Sequence, residues 1–81
     1  MTVFETLKTM NGIGERIRLK DVRPRLPMLS KSALDTELLR LQRERLIMLY
    51  PLDNPLEITL ADRDAALVIA TTPHHIIYRE K

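Results

Sequence analysis

The residues in this 81-residue chain that are most suited to binding chemistry are the cations of its first half. Positions 16 to 31 hold six lysines and arginines against one acid, Asp21, so their net charge is +5, whereas the whole chain carries +2. Clustered ammonium and guanidinium groups bind phosphate oxygens. The cluster therefore predicts phosphate contacts, and the alternative is a solvated helix and strand edge without a ligand. The predicted phosphate contacts are Lys20, Arg23, Arg25 and Lys31.

Residue types that carry catalysis or bind metals do not occur in a convergent pattern. The chain has no cysteine, which excludes disulfides, thiolate catalysis and cysteine-containing zinc sites. His74 and His75 are adjacent, so on a strand their rings point to opposite faces, and no third metal ligand is evident. Asp62 and Asp64 are two residues apart, so they cannot share one helix face. The sequence thus predicts a protein that is not an enzyme and has no metal and no cofactor.

The elements that position the cations follow from hydrophobic spacing and from capping residues. A first helix is predicted over residues 3–10, and the glycines at 12 and 14 follow it. Residues 16–19 alternate polar and apolar side chains as a half-buried strand does. Residues 20–26 are predicted to form a short helix that Pro27 ends.

The longest predicted helix covers residues 33–45. Leu34, Leu38 and Leu41 recur at steps of four and three residues, which predicts one buried apolar stripe. Arg40 and Glu44 have the four-residue spacing of an ion pair. The side opposite the stripe is predicted to carry residue types that contact base edges or phosphates, namely Ser32, Thr36, Arg40 and Arg43.

The second half of the chain is acidic, with a net charge of −2 over residues 46–81. Residues 46–50 are predicted to form a strand, and a turn rich in proline follows. Thr59, with Asp62 three residues later, forms a capping box that opens a helix predicted over residues 59–69. A last strand is predicted over residues 75–78. The predicted core consists of Leu7, Ile17, Leu19, Val22, Leu26, Leu34, Leu38, Leu41, Ile47, Leu49, Leu67, Ile76 and Tyr78.

This order of elements resembles the winged helix-turn-helix superfamily, many of whose members bind DNA. The resemblance covers the strand at 16–19, the helices at 20–26 and 32–45 with the turn at 27–30, and wing strands at 46–50 and 75–78. It implies a single α+β domain over residues 1–81, with a small antiparallel β-sheet. One departure is the 24 residues at positions 51–74 between the wing strands, where the extra short helix is expected.

The sequence is compatible with two functions. The first is a small non-catalytic module that binds double-stranded DNA, similar to a transcription regulator and dimeric, with Arg40 and Arg43 in or beside the major groove. The second is a protein-interaction or dimerisation module of the same fold that binds no nucleic acid. Its basis is the acidic second half and four apolar residues that the core could leave uncovered, Met28, Leu29, Leu39 and Leu52. Without a long apolar run or a signal-peptide pattern, we expect no membrane association and a cytoplasmic location.

Overall fold

The described part of the chain contains four α-helices and five short strands, which confirms the α+β class expected from the sequence. A computed structural model describes residues 2–81. In chain order the elements are α1 (Val3–Met10), β1 (Arg16–Arg18), α2 (Leu19–Val22), a 3₁₀ turn (Arg23–Arg25), α3 (Lys31–Arg43), β2 (Ile47–Tyr50), a second 3₁₀ turn (Pro55–Glu57), α4 (Leu60–Ala65), β3 (Leu67–Ile69), β4 (Thr72–His74) and β5 (Ile76–Arg79).

Three strands from distant parts of the chain form one antiparallel sheet in the order β1–β5–β2. Ile77 of β5 pairs with Ile17 on one side and with Leu49 on the other. Because paired residues share a face, these three side chains form an apolar row on the inner face of the sheet. β3 and β4 pair only with each other, as a separate hairpin.

The helices cover the inner face of the sheet and form the core with it. The stripe on α3 is fully buried as predicted, and Ser30 caps the helix by accepting a hydrogen bond from the Ala33 amide. Eleven of the thirteen predicted core residues belong to the main hydrophobic cluster. The other two, Ile76 and Tyr78, do not belong to it. Ile77 points inward, so its neighbours on the strand point to the outer face, where Ile76 is buried separately and Tyr78 is partly exposed.

The helix predicted over residues 59–69 is shorter than expected. The capping box of Thr59 and Asp62 is present, but α4 ends at Ala65, and the β-branched residues that follow form β3. The buried face of α4 also differs from a simple hydrophobic pattern, because Leu60 is 74% exposed whereas Asp62 is buried.

The β3–β4 hairpin turns through two residues with positive φ, Ala70 at 47° and Thr71 at 70°. A two-residue hairpin turn of type I′ has positive φ at both positions, and Asn and Gly are the residues that usually supply it. The hairpin therefore contains backbone strain, since neither residue favours this conformation.

At both outer edges of the three-stranded sheet, a side-chain amide forms a hydrogen bond with the backbone of the edge strand. On β2, the Leu49 amide faces away from β5 and donates to Oε1 of Gln42, which lies on α3, at 2.8 Å. On β1, Nδ2 of Asn11 donates to the Arg16 carbonyl at 2.6 Å. Each edge thus has at least one backbone group that is already bonded and unavailable to a further strand.

Candidate nucleic-acid interface

The outer face of α3 carries the polar residues that the sequence placed there. Its leucine stripe packs into the core, so the opposite face presents Ser32, Thr36, Arg40 and Arg43 to solvent. The Thr36 hydroxyl donates to the Ser32 carbonyl at 3.0 Å, and its oxygen can still accept a hydrogen bond. Lys31 is exposed at the first position of the helix.

Arg40 is paired with two glutamates, Glu37 on its own helix and Glu44 directly after it. Its guanidinium contacts the carboxylates of Glu37 and Glu44, and the second of these pairs has the predicted four-residue spacing. The hydrogen bond from Arg40 holds the pKa of Glu37 below its usual range. Both pairs are exposed and screened by water, so a phosphate could draw Arg40 away from its partners at low cost.

Arg23 has structural partners. Its Nη2 lies 2.6 Å from Oδ1 of Asp35 on α3, and its Nε donates to the Ala65 carbonyl at 2.8 Å. The side chain is only 16% exposed, so the phosphate contact predicted for it would require breaking both bonds. Arg23 instead fastens the 3₁₀ turn after α2 to α3 and to the end of α4, and it neutralises Asp35.

The other predicted cations form no salt bridge within residues 2–81. Lys31 and Arg43 lie on α3, Lys20 is half-buried on α2, and Arg25 is exposed on the first 3₁₀ turn. Arg45 is a further exposed cation that sequence reasoning did not assign to the interface. It follows α3 with a φ of 62°, and its position two residues after Arg43 was the available signal.

Comparison with known proteins finds no family model, no curated protein and no solved structure that matches this chain. Among residues 2–81, no helix is both long and apolar enough to cross a bilayer. In the same part of the chain, no three His, Asp or Glu side chains lie together in a group that could hold a metal ion.

A buried carboxylate organises the segment between β2 and β5. Oδ2 of Asp62 accepts hydrogen bonds from Nη1 of Arg18, from the Thr59 amide and from the Thr59 hydroxyl, each at 2.9 Å. Burial raises the pKa of Asp62, but the bonds from Thr59 and the charge of Arg18 outweigh it, so the pKa lies below its usual value. This carboxylate stays ionised and ties α4 to β1.

The two histidines have different surroundings, as their adjacency implies. His75 is buried, and its Nδ1 accepts a hydrogen bond from the Leu52 amide at 3.0 Å. Burial lowers the pKa of His75, which favours the neutral ring that this bond requires. Nδ1 of His74 lies 2.8 Å from the Thr72 carbonyl in the hairpin. His75 thus serves to hold the chain after β2.

Proposed function

We propose that this protein is a winged helix-turn-helix domain that binds double-stranded DNA through the outer face of α3. The chain order α1–β1–α2–α3–β2 and the sheet order β1–β5–β2 agree with the resemblance noted in the sequence. In such an arrangement the second helix of the helix-turn-helix enters the major groove, and here that helix is α3.

The observation that carries this proposal is the charge balance of α3. Its two acidic side chains are each paired with an arginine, Asp35 with Arg23 and Glu37 with Arg40, and Arg40 also pairs with Glu44 directly after the helix. Within residues 2–81, the charges on α3 that form no salt bridge are Lys31 and Arg43, beside the hydroxyls of Ser32 and Thr36. A face with unpaired cations and hydroxyls suits contacts to phosphates and base edges.

The segment between β2 and β5 does not resemble a DNA-reading wing. It carries more acids than cations, and the turn of its hairpin, Ala70 and Thr71, is uncharged. We therefore assign DNA contact to α3, with Lys20 and Arg25 as additional phosphate contacts.

The expected salt dependence of binding follows from the four predicted cations that form no salt bridge within residues 2–81. If Lys20, Arg25, Lys31 and Arg43 each neutralise one phosphate, log K falls by about 3.6 for each tenfold rise in salt concentration. Doubling the salt concentration would then weaken binding about twelvefold. A single small domain covers little DNA, so tight and specific binding is expected of a dimer or of a larger assembly.

Fluorescence anisotropy with a labelled 20-base-pair duplex, measured at several salt concentrations, tests the proposal. Arg43→Gln is expected to weaken binding severalfold and to reduce the salt slope by about 0.9. Arg63→Gln is the matched control, because Arg63 is an exposed arginine on α4 without a salt bridge in residues 2–81. Failure to bind at low salt, or equal losses in both variants, would contradict the proposal.

A second candidate function is dimerisation or protein binding through the segment between β2 and β5. Leu56, Leu60 and Val68 are exposed there by 93%, 74% and 62%. Two of the apolar residues that first suggested this function do not support it, since Leu52 is buried and Leu29 packs against the core. Sedimentation of Val68→Glu tests the candidate: a lower apparent mass than that of the unaltered protein would support it, and two monomeric proteins would exclude a dimer through this segment.

A further inference from the structure

The outer face of the three-stranded sheet carries a cleft of about 490 Å³ that the DNA proposal does not use. Tyr50 of β2, with Ile76 and Tyr78 of β5, lines it together with Ile13 and Pro51. α3 packs on the inner face of the same sheet, so the cleft and the proposed DNA-binding face lie on opposite sides of the molecule.

The two tyrosines give the cleft an ordered aromatic wall. Their rings meet edge to face, with centroids 5.3 Å apart and planes at 78°. Tyr50 is 42% exposed, so much of its ring is open to a ligand, while Ile76 is buried beside it in register. Tyrosine rings supply large contact areas with few rotatable bonds, so little conformational entropy is lost when a ligand packs against them.

The charged groups available to a ligand at the rim are acidic. Asp53 and Glu80 line the cleft and are exposed, and neither forms a salt bridge within residues 2–81. Arg79 also lines it, but its guanidinium donates to backbone carbonyls, of Lys81 at 2.6 Å and of Asn11 at 2.8 Å. Arg79 keeps its positive charge, but two carboxylates against one guanidinium leave the rim with a net charge of −1, which favours a basic ligand over the phosphates of a nucleic acid.

The edge of the sheet beside the cleft limits how a ligand can bind. A peptide that extended the sheet at β2 would have to accept a hydrogen bond from the Leu49 amide, but this amide already donates to Oε1 of Gln42. Recognition must then come from side chains lying on the face. Proline-rich peptides fit this requirement, because they are extended before they bind and pack proline rings against aromatic grooves.

We propose that the tyrosine cleft binds a short extended segment of a partner protein that contains prolines and at least one arginine or lysine. The prolines pack against Tyr50 and Tyr78 above Ile76, and the basic side chain lies against Asp53 and Glu80. This site does not depend on DNA binding, and the two ligands would occupy opposite sides of the domain.

Titration of the protein into the labelled peptide Ala-Pro-Pro-Leu-Pro-Pro-Arg-Arg tests the proposal by fluorescence anisotropy. We expect saturable binding that Tyr50→Ala weakens about tenfold or more, as removal of a central aromatic contact does. Tyr50→Phe keeps the ring and should retain most of the affinity. Asp53→Lys changes only an exposed rim residue, so it leaves the fold intact and should weaken binding by roughly two- to fivefold.

Two controls distinguish peptide binding at the tyrosine cleft from binding elsewhere on the protein. The same peptide with glutamates in place of its arginines is expected not to bind, and Arg43→Gln is expected to bind the original peptide normally even though it weakens DNA binding. The proposal is overturned if the unaltered protein shows no saturable binding at millimolar concentration, or if Tyr50→Ala or the glutamate peptide leaves binding unchanged. Self-association of the protein that Tyr50→Ala abolishes would also overturn it, since the occupant would then be a second copy of this chain.

Discussion

Replacement of Asp62 tests whether its buried carboxylate stabilises the fold. Within residues 2–81, all three hydrogen bonds that Asp62 accepts reach the same oxygen, Oδ2, while Oδ1 is buried without a partner there. Asp62→Asn can therefore place its amide oxygen at Oδ2 and keep all three bonds, but it removes the charge and puts an amide NH₂ at the buried Oδ1 position. Asp62→Ala removes the bonds as well. The asparagine variant thus tests the charge together with a buried donor, and the alanine variant tests the whole hydrogen-bond network.

The expected losses follow from the partners. Breaking a buried ion pair typically costs about 3–5 kcal/mol. Arg18 is a quarter exposed and keeps its bond to the Glu57 carbonyl, so we expect about 2–4 kcal/mol for Asp62→Ala. Asp62→Asn should cost about 1–3 kcal/mol, because a neutral acceptor makes weaker hydrogen bonds than a charged one and the buried amide NH₂ finds no acceptor. A domain of 81 residues has a free energy of unfolding of about 4–12 kcal/mol, so the alanine variant should be far less stable.

Urea denaturation followed by circular dichroism measures these losses at neutral pH. Asp64→Ala is the control, because Asp64 is exposed on the same helix and should change the free energy of unfolding by no more than about 0.5 kcal/mol. The pKa of Asp62 is lowered in the fold, so its stabilisation is present above the unfolded pKa of about 3.9 and is lost as pH falls below it. A loss under about 1 kcal/mol for Asp62→Ala, or a loss no larger than that of Asp64→Ala, would refute this account of the network.

Two other features also predict measurable changes in stability. Changing Ala70 to Asn and Thr71 to Gly supplies residues that favour positive φ, so the free energy of unfolding should rise by about 1–2 kcal/mol, measured by thermal denaturation. The control, Thr72→Gly in β4, should lower it, and equal effects would exclude strain in the turn as the cause. The pKa of His75 is lowered by burial, so the protein should lose stability as pH falls below the unfolded pKa of about 6.5. His75→Asn still offers an acceptor to the Leu52 amide but cannot gain a proton, so its stability should not fall over this pH range. If the variant loses as much stability as the unaltered protein, His75 is not the group responsible.

Local sequence patterns predicted α3 well because its determinants are local. The leucine spacing, the serine cap and the Arg40–Glu44 pair all lie within fifteen residues, and each is present in the structure. The last strand was predicted less accurately, because Ile76, Ile77 and Tyr78 are all apolar and a period of two does not show which of them points inward. The structure selects Ile77, since its partners on β1 and β2 face the helices.

Most of the structural features that the sequence did not predict depend on contacts between residues that are far apart in the chain. Arg23 belonged to a basic cluster, and its partners Asp35 and Ala65 lie 12 and 42 residues away. No local spacing indicates such partners. The tyrosine cleft has the same origin, because Tyr50 and Tyr78 become neighbours only when β2 pairs with β5. Helical periodicity also could not show that α4 stops at Ala65, since alanines continue one residue further.

The hydrogen bond from Leu49 to Gln42 has a mechanical consequence, because its acceptor lies on α3 and its donor on β2. The bond that closes this edge of the sheet also anchors the C-terminal part of α3 to it. If DNA rotated α3 relative to the sheet, the Leu49 amide would lose its partner and the edge would open to other strands. α3 should therefore enter the groove as one rigid body with the sheet, and amide hydrogen exchange at Leu49 should be no faster with DNA bound than without it. Faster exchange in the complex would mean that α3 moves relative to the sheet. DNA binding would then leave the edge of β2 open to pairing with a strand of another molecule.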